Sequence, residues 1–421
     1  MRTHPILTEL ALFGQRLGLE RMASFLRWLG DPQLDAPILH VAGTNGKGSV
    51  VRMAGAMLRA QGLRVGEYTS PHLQQVNERI VVDGEQISDA ALSALLVQLV
   101  SARDAWLGPA SGGTGGGLTY FEVMTAAAFL HFSREEVDVV VLEVGLGGRL
   151  DATNVVQPLA TAIVSVGLDH TEQLGDDLGS IAAEKAGIIK ADVPVVVGPL
   201  CHAAMRVVRS IAAERQAPLL SPPESWDIEE RRDHGLCFRG PDRWLDRLDL
   251  RLVGGHQAWN AGVALALVGC LPAGLRPDDA ACRAGLSTVV HAGRLEQLAP
   301  DIWVDCAHNA DGAEQLAAWM RELADADRPT TLLLGMSGDK DPRSVGRALA
   351  PLVDRVLTTH CAHPRAMSAG VLATHLIDLP CPVLPAGPIE EALDIARGQP
   401  GPLLVAGSVF LAGAVRDLLQ R

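Results

Sequence analysis

The chain has 421 residues, of which 48% are hydrophobic and 20% are charged. This length and composition are typical of a globular protein with two or three domains, and they exclude a peptide hormone or a small disulfide scaffold. The formal net charge is −13 at pH 7, and no basic run resembles the footprint of a phosphate backbone, so we expect no nucleic-acid partner.

The sequence predicts a cytoplasmic protein that does not cross a membrane. The longest uncharged apolar stretch, residues 261–275, falls short of the roughly 18 residues that a spanning helix needs, and it predicts a buried helix instead. The first 20 residues lack the sustained apolar segment of a secretory signal. The seven cysteines are dispersed and form no CxxC pair, so we expect reduced, structural thiols.

Short apolar runs alternate with alanine-rich segments from about residue 37 to residue 200, as in strands and helices around a parallel sheet. Three runs predict buried strands that end in glycine, namely residues 37–43, 137–145 and 161–167. Other segments predict a helix over 50–60, a flexible loop over 108–117, an antiparallel excursion or a connecting hairpin over 221–251, and a helix over 255–270. Binding groups in open α/β sheets gather at the carboxyl ends of strands, so the residues after the three runs are the first candidates for a site.

A second alternating series follows residue 293. It predicts a helix over 313–326 and strands within residues 301–307, 330–336, 354–360, 381–387 and 402–408. The fold prediction is therefore α/β with two domains. Residues 1–292 would form an N-terminal, mostly parallel P-loop-type sheet flanked by helices, and residues 293–421 a smaller C-terminal Rossmann-like α/β domain.

The segment GTNGKGS, residues 43–49, follows the first predicted strand and opens the first predicted helix. Backbone N–H groups in such a loop hold phosphates, Lys47 can reach the terminal phosphates, and Ser49 can face a metal ion. Val41 replaces the first glycine of the strict pattern, and Gly48 separates Lys47 from Ser49. A glycine-rich turn without a ligand is the alternative.

Glu143 lies at the end of the second predicted strand, where a carboxylate among apolar residues needs a cation or hydrogen-bond donors. A Mg²⁺ ion would meet this need, as it does beside the phosphate loops of NTP-hydrolysing folds. Capping of the following turn is the alternative. His170 follows the third strand, and a lone histidine is more often structural than a magnesium ligand.

Eleven motifs, in order along nearly the whole chain, resemble those of the folylpolyglutamate synthase and dihydrofolate synthase family, within the ATP-dependent Mur-type amide ligases. They are HVAGTNGKGS (40–49), TSPHL (69–73), NERI (77–80), LTYFE (118–122), LEVGLGGRLDATN (142–154), GLDHTEQLG (167–175), EKAGIIK (184–190), GHQAWN (255–260), GRLE (293–296), DCAHN (305–309) and GMSGDKD (335–341). The family's own phosphate loop has the GTNGKGS form.

The resemblance implies ATP and two Mg²⁺ ions, with ATP between the two domains. The implied nucleotide-binding residues are Thr44, Asn45, Gly46, Lys47, Gly48, Ser49, Asn260, Arg294 and Asp305. Ser70, Glu143 and His170 would bind magnesium, and the implied catalytic residues are Lys47, Glu143, His170 and Lys185. Lys185 matches the lysine that the family carbamylates with CO₂, which makes it an oxygen ligand for the second ion. A helix-surface lysine paired with Glu184 is the alternative.

The resemblance also implies two substrate sites. The pterin substrate would contact Thr119, Tyr120, Phe121, Glu122, Leu150, Asp151 and Ala152. The Tyr-Phe pair offers a flat apolar surface, although core packing is the alternative for Phe121. Asp151 and Arg149 would hydrogen-bond the heterocycle or steer its carboxylate. His308 and Ser408 would hold the incoming glutamate.

The implied reaction is ATP-dependent addition of L-glutamate to 7,8-dihydropteroate, which forms dihydrofolate, and to folates, through an acyl phosphate. LTYFE and LDA favour both activities, and glutamate extension alone is an alternative. TSPHL, NERI and LTYFE point away from a UDP-muramoyl amino-acid ligase, while GRLE and DCAHN argue against a P-loop ATPase that acts as a switch. The implied partners are small molecules only, with no nucleic acid and no membrane, and the implied state is a monomer.

Overall fold

The structure is a computed structural model that describes residues 6–7, 10, 17–108, 117–231, 233–323 and 329–420. The chain divides into two compact units. The described residues of Arg2–Arg251 and Ala258–Val289 form the N-terminal unit, and those of Leu252–Gln257 and Val290–Arg421 form the C-terminal unit. The assignment of one domain to ATP and pterin and the other to glutamate stays a prediction.

The N-terminal unit contains an eight-stranded sheet and a three-stranded sheet. Its strands are β1 (Ile38–Ala42), β2 (Val65–Tyr68), β3 (Ile80–Val82), β4 (Glu85–Gln86), β5 (Val139–Glu143), β6 (Ala160–Ile163), β7 (Val195–Val197), β8 (Leu219–Leu220), β9 (Asp227–Arg231), β10 (Gly235–Arg239) and β11 (Trp244–Leu245). Its helices are α1 (Glu20–Trp28), α2 (Lys47–Ala60), α3 (Asp89–Leu107), α4 (Tyr120–Arg134), α5 (Thr171–Leu174), α6 (Leu178–Ala186), α7 (His202–Glu214), α8 (Gly255–Gly269) and α9 (Asp279–Thr288), of which α8 begins in residues of the C-terminal unit.

The large sheet has the order β4-β3-β2-β5-β1-β6-β7-β8. All neighbours from β2 to β8 are parallel, and β3 and β4 add an antiparallel edge. Strands β1, β5 and β6 are buried along their whole length, because helices cover both faces of a parallel sheet. The three strands singled out from the sequence are therefore confirmed, and their carboxyl ends meet at one edge.

Helix α2 follows β1 after the loop of residues 43–46, and it packs closely against α9. A Cβ atom on Gly285 of α9 would lie 2.5 Å from the backbone nitrogen of Met57 in α2, so only glycine permits this approach. On the opposite side, Gly55 leaves room for the buried Glu67 carboxylate, which pairs with Arg52 of the same helix at 2.7 Å and with Arg59. These contacts fix the position of α2, the helix that begins within the phosphate-loop motif.

The segment expected to be an antiparallel excursion forms the small sheet β11-β10-β9, which is antiparallel throughout. The predicted helix over 255–270 is α8, while residues 109–116 of the predicted glycine-rich loop lie outside the described residues. Helix α3 is the one described helix long and apolar enough to cross a membrane by length and composition. Leu92, Leu95, Leu96 and Leu99 of this helix pack into the core of the N-terminal unit.

The C-terminal unit contains a six-stranded sheet of order β12-β13-β17-β14-β15-β16, which is parallel except for β12. Its strands are β12 (Glu296–Ala299), β13 (Ile302–Val304), β14 (Thr331–Leu334), β15 (Arg355–His360), β16 (Val383–Pro388) and β17 (Leu403–Ala406). Its helices are α10 (Ala310–Leu323), α11 (Pro342–Leu349), α12 (Ala369–His375), α13 (Ile389–Arg397) and α14 (Val409–Leu419). Each of the five predicted strands is present, and the helix predicted over 313–326 begins at residue 310 and is described to residue 323.

Candidate active site

The loop between β1 and α2 is tied to the end of β6. The backbone nitrogen of Thr44 donates to the Ser165 carbonyl at 3.0 Å, and the Ser165 hydroxyl bridges both backbone groups of Asn45 at 2.9 Å. The Thr44 hydroxyl donates to the Gly167 carbonyl and accepts from the Gly167 amide. Ser165 thus shapes the loop, although its only sequence signal was its place at the end of a predicted strand.

Gly46 is a residue of this loop whose backbone and surroundings require glycine. Its φ of +83° is left-handed, and a Cβ atom there would lie 2.4 Å from Asn260 Oδ1 and 2.8 Å from Val164 Cγ1. The structure therefore places Asn260, on the buried side of α8, directly against the loop. Backbone amides in such a loop at the start of a helix form a cradle for phosphate oxygens.

Lys47 and Glu143 lie together at the carboxyl ends of β1 and β5. The Lys47 Nζ atom lies 3.9 Å from Glu143 Oε1 and donates to the carbonyls of Gly43 and Thr44. The Glu143 side chain is 5% exposed, and its Oε2 accepts from the backbone nitrogen of Ser70 at 2.9 Å. The structure thus brings three of the predicted site residues into contact.

The loop that carries Ser70 is organised by Glu78, a residue of the NERI motif for which the sequence predicted no role. The Glu78 carboxylate accepts from the backbone nitrogens of Leu73, Gln74 and Gln75 at 2.7 to 2.8 Å. Arg52 of α2 reaches the Glu78 carbonyl at 3.2 Å, so the helix after the phosphate loop also supports the loop that carries Ser70.

Lys185 is buried on α6, with 3% of its surface exposed, so its interpretation as a helix-surface lysine is wrong. Its proposed partner Glu184 pairs with Arg149 at 2.8 Å instead. Burial and, to a smaller extent, the charge of Lys47 lower the pKa of Lys185 to about 7, against an opposing effect of Asp169. These interactions place Lys185 in the electrostatic environment of Lys47 and of Asp169, the neighbour of His170. His170 itself has a left-handed backbone at φ +50° and a side chain 40% exposed.

The expected pterin-binding residues have strong structural partners of their own. Thr119 and Glu122 form a reciprocal capping box at the start of α4, and Glu122 also accepts from Arg21 at 3.0 Å. The Phe121 ring lies 6.1 Å from the Tyr68 ring and over Gly145, where a Cβ atom would come within 2.4 Å of it. The Tyr120 ring lies under the guanidinium of Arg79. Tyr120 and Phe121 are therefore half-buried, and the core does not enclose them completely.

The turn that follows β5 carries Leu150, Asp151 and Ala152. Asp151 is buried, and its carboxylate accepts from the Leu146 amide at 2.8 Å and from the Thr153 hydroxyl at 2.6 Å. Burial raises the pKa of Asp151, and these hydrogen bonds oppose the rise. Arg149 is exposed and pairs with Glu184. The two residues therefore have different roles, because Asp151 organises the turn whereas Arg149 lies on its surface.

In the C-terminal unit, Asp305 accepts from the backbone nitrogens of Leu295 and Ala307, so it lies against the residue that follows Arg294 in the chain. His308 Nδ1 lies 2.8 Å from the Cys306 carbonyl. Ser408 caps α14 by accepting from the Phe410 amide and lines a small pocket at the carboxyl ends of β14, β15 and β17. Ser337, His360 and Phe410 also line this pocket.

The residues at the β1 and β5 ends fit a nucleotide with Mg²⁺. Within the described ranges, no group of three or more His, Cys, Asp or Glu side chains is arranged to hold a metal ion. Magnesium in phosphoryl-transfer sites keeps several waters and takes one or two protein ligands besides the phosphates. The buried Glu143 carboxylate with Ser70 beside it meets that requirement. The helix that begins at Lys47 has its N-terminus in the same loop, where backbone amides favour phosphate oxygens.

Comparison with known proteins agrees with a P-loop ligase. Residues 293–409 match the family of the Mur ligase glutamate ligase domain. A dihydrofolate synthase/folylpolyglutamate synthase of Mycobacterium tuberculosis is 36% identical over 96% of this chain and 90% of its own length. The Bacillus subtilis protein of the same name is 35% identical over 97% and 96%.

Several solved structures also match this chain over nearly its whole length. Mycobacterium tuberculosis folylpolyglutamate synthase complexed with ADP and AMPPCP matches with a TM-score of 0.90 at 34% identity, over 99% of this chain and 98% of that one. The Escherichia coli protein FolC with DHPP and ADP has a TM-score of 0.88 at 32% identity, over 99% and 98%. A bifunctional folylpolyglutamate synthase/dihydrofolate synthase with Mn, AMPPNP and L-glutamate bound has a TM-score of 0.87 at 33% identity, over 100% and 99%.

Fold, phosphate loop and C-terminal unit together define an ATP-dependent ligase of the Mur type. Within that class, the chain belongs to the dihydrofolate synthase/folylpolyglutamate synthase family. The resemblance found in the sequence motifs is confirmed, and so is the predicted α/β fold.

Proposed function

We propose that this protein adds L-glutamate to 7,8-dihydropteroate and to folates, with ATP as the source of free energy. The observation that carries the proposal is the contact of Lys47, Glu143 and Ser70 beside the glycine-dependent loop. Relatives solved with ADP and DHPP, and with AMPPNP, Mn and L-glutamate, support the same set of ligands here.

In the proposed first step, an oxygen of the substrate carboxylate attacks the γ-phosphorus of ATP, and the bond to the bridging oxygen of ADP breaks. Negative charge accumulates on the transferring oxygens, so the Lys47 ammonium and the loop amides stabilise the transition state electrostatically. Bound Mg²⁺ supplies further neutralisation of that charge. Glu143 and Ser70 are the residues that would hold it, and His170 is the third proposed ligand.

In the second step, the amine of L-glutamate attacks the acyl carbon, inorganic phosphate leaves, and the new amide nitrogen loses a proton. We propose His308 and Ser408 as contacts for this glutamate, since Ser408 lines a pocket in the C-terminal unit. Arg294 and Asp305 of that unit and Asn260 of the N-terminal unit are the further proposed nucleotide contacts. For the pterin, the proposed contacts are the half-buried Tyr120 and Phe121 and the turn that carries Leu150, Asp151 and Ala152.

We further propose that Lys185 is carbamylated. Only an unprotonated amine attacks CO₂, and a pKa of about 7 leaves a large neutral fraction at neutral pH. The carbamate would carry the anionic oxygens that a second Mg²⁺ ion needs. A ¹³C NMR signal from protein in ¹³C-bicarbonate, lost in Lys185→Met, would support this proposal. An identical spectrum for the variant would refute it.

The test of the overall proposal is ADP release by the purified protein with ATP and Mg²⁺. Either 7,8-dihydropteroate or a reduced folate monoglutamate is added, with and without L-glutamate. Glutamate-dependent release with both acceptors is expected, and release with the folate alone would reduce the activity to chain extension. Glutamate-independent hydrolysis alone, or turnover of UDP-muramoyl substrates, would overturn the proposal. Lys47→Ala should abolish the release, whereas Arg209→Ala on the exposed side of α7 should not.

The remaining expectations are a monomeric, cytoplasmic protein with small-molecule partners. All seven cysteines are free, which supports a reducing compartment. Size-exclusion chromatography with light scattering tests the oligomeric state, and fractionation of the source cells tests the location.

A further inference from the structure

His40 is a fully buried histidine in the central strand of the large sheet. It pairs in register with Leu142 of β5 and with Thr161 of β6, and none of its surface is exposed. Burial lowers its pKa to about 3, with a smaller effect from the charge of Lys190, so its imidazole is neutral at physiological pH. Its Nε2 atom lies 2.9 Å from the hydroxyl oxygen of Thr153.

The direction of this hydrogen bond follows from the next one. The Thr153 hydroxyl donates to Asp151 Oδ1 at 2.6 Å, and the same carboxylate accepts from backbone N–H groups, so it acts here as an acceptor. A hydroxyl has a single proton, so its oxygen must accept from His40, and Nε2 therefore carries the histidine proton. His40 Nδ1 is then an acceptor, and it is buried with no hydrogen-bond partner among the described residues. The histidine thus interacts with the rest of the site through Thr153.

The Asp151 carboxylate, held by the Thr153 hydroxyl, in turn fixes the backbone of the turn after β5. Besides the Thr153 hydroxyl, its carboxylate accepts from the Thr153 amide at 3.0 Å and from the Leu146 amide at 2.8 Å. The Gly145 amide is a further donor to it. Gly145 and Leu146 come directly after the strand that ends at Glu143. The lone pairs of Asp151 are therefore directed at its own turn, which differs from the direct substrate contact expected from the sequence.

The far end of the turn is anchored separately. Asn154 Nδ2 donates to the carbonyls of Arg149 and Gly187 at 3.0 and 3.1 Å, and Lys190 Nζ donates to the Asn154 carbonyl at 3.0 Å. The Arg149 amide also donates to the Glu184 carbonyl at 2.8 Å, so the contacts of Asp151 chiefly hold the part of the turn that begins at Gly145.

We propose that His40 and Thr153 are positioning residues that act through Asp151 to fix the turn of residues 145–152 for the pterin-bearing substrate. The identity of that substrate rests on the proposed function. Neither residue touches the substrate. Their hydrogen bonds hold the backbone of Leu150 and Ala152 in the conformation that binds it.

Matched variants separate the hydroxyl of Thr153 from its volume. Thr153→Val keeps the shape and removes the hydrogen bonds, whereas Thr153→Ser keeps the hydroxyl. We expect Thr153→Val to raise the KM for dihydropteroate at least tenfold, with the KM for ATP changed less than twofold. Thr153→Ser should stay within threefold of the wild type. Equal effects of the two variants, or an unchanged dihydropteroate KM in Thr153→Val, would overturn the proposal.

Amide hydrogen exchange without substrates tests the chain of hydrogen bonds from His40 through Thr153 to Asp151, here called the relay, independently of the reaction. Peptides that cover residues 144–154 should exchange at least tenfold faster in Thr153→Val than in Thr153→Ser, and unchanged exchange would refute the relay. If the wild type does not turn over dihydropteroate, the proposed function fails while this measurement still decides the relay. Should Thr153→Val not fold, His40→Phe against His40→Gln gives the same comparison. Glutamine restores an N–H donor near the Nε2 position, so it should restore protection, and equal exchange in the two histidine variants would contradict the proposal.

Discussion

The ammonium of Lys47 and the carboxylate of Glu143 lie 3.9 Å apart, with 17% and 5% of their side chains exposed. Lys47 is the first residue of α2, which follows β1, and Glu143 is the last residue of β5. The strands β1 and β5 are direct neighbours in the sheet, where Val41 pairs in register with Glu143. A positive group for phosphate and an acidic group for a cation are thus adjacent at the carboxyl edge.

Removal of the Glu143 charge should selectively weaken the binding of magnesium at the site. Glu143→Gln keeps an oxygen that accepts from the Ser70 amide, so the loop should stay in place while the anionic ligand is lost. We expect the Mg²⁺ concentration for half-maximal activity to rise at least about tenfold and kcat to fall about 10²-fold. A magnesium titration of ADP release measures both quantities. Glu135→Gln, a partly exposed partner of Arg64, is the control and should behave as the wild type. An unaltered magnesium dependence would rule out Glu143 as a ligand.

Gly46→Ala should impair nucleotide binding more than its backbone strain alone predicts. The left-handed φ of +83° would cost an alanine about 1 to 2 kcal/mol, and the new Cβ atom would also collide with Asn260. Gly62 has a similar φ of +90° with open space around it, so Gly62→Ala isolates the backbone cost. Calorimetric titration with ADP should give a Kd raised at least about tenfold for Gly46→Ala only. This difference corresponds to about 1.4 kcal/mol. Equal ADP affinity in the two variants would contradict this prediction, because it would show that the collision with Asn260 does not disturb nucleotide binding.

The buried Lys185 should make stability depend on pH. Its folded-state pKa of about 7 lies below the ordinary value of 10.5, so between these values the unfolded chain binds more protons than the folded chain. The free energy of unfolding contributed by this lysine therefore rises with pH across that window. The unfavourable burial of its charge is greatest below pH 7. Lys185→Met should melt several degrees higher than the wild type at pH 6, and the gap should narrow by pH 9. Thermal melts in CO₂-depleted, magnesium-free buffer test this, and a gap that is constant with pH would contradict it.

The capping box of α4 predicts a stability role for the first residue of TYFE. Thr119→Ala removes the side-chain acceptor for the Glu122 amide, which should lower the free energy of unfolding by about 1 kcal/mol. Thr119→Ser keeps that acceptor and serves as the control. Urea denaturation measures the difference. A large rise in the KM for dihydropteroate at unchanged stability would instead identify Thr119 as a substrate contact.

The sequence predicted the features that depend on neighbouring residues in the chain. The runs that became β1, β5 and β6 are nearly continuous in apolar residues, and each of them ends in a turn with glycine. Because parallel strands bring their carboxyl ends to one edge, the proximity of the phosphate loop and Glu143 also followed from the pattern. Strand β2 has the sequence VGEY and was not singled out, because its glycine and glutamate interrupt the apolar run. The three-residue strands β3 and β7 were not singled out either.

The features that the sequence did not reveal depend on contacts between distant residues. The burial of Lys185 results from the packing of α6, and the spacing of EKAGIIK is equally compatible with an exposed lysine. In the same way, Arg149 and Asp151 are two residues apart in one motif, yet one pairs with Glu184 at the surface and the other accepts buried hydrogen bonds. Side-chain direction in a glycine-rich turn is set by the partners, which a single sequence does not identify.

The bridge from Ser165 to both backbone groups of Asn45 has a kinetic consequence. A loop already fastened to its neighbouring strand loses little conformational freedom when a nucleotide arrives, because the ordering has taken place during folding. The rate of nucleotide association should then be limited by diffusional encounter and not by rearrangement of this loop. The observed rate of nucleotide capture would accordingly increase in direct proportion to nucleotide concentration, without the plateau that a slow loop movement would impose.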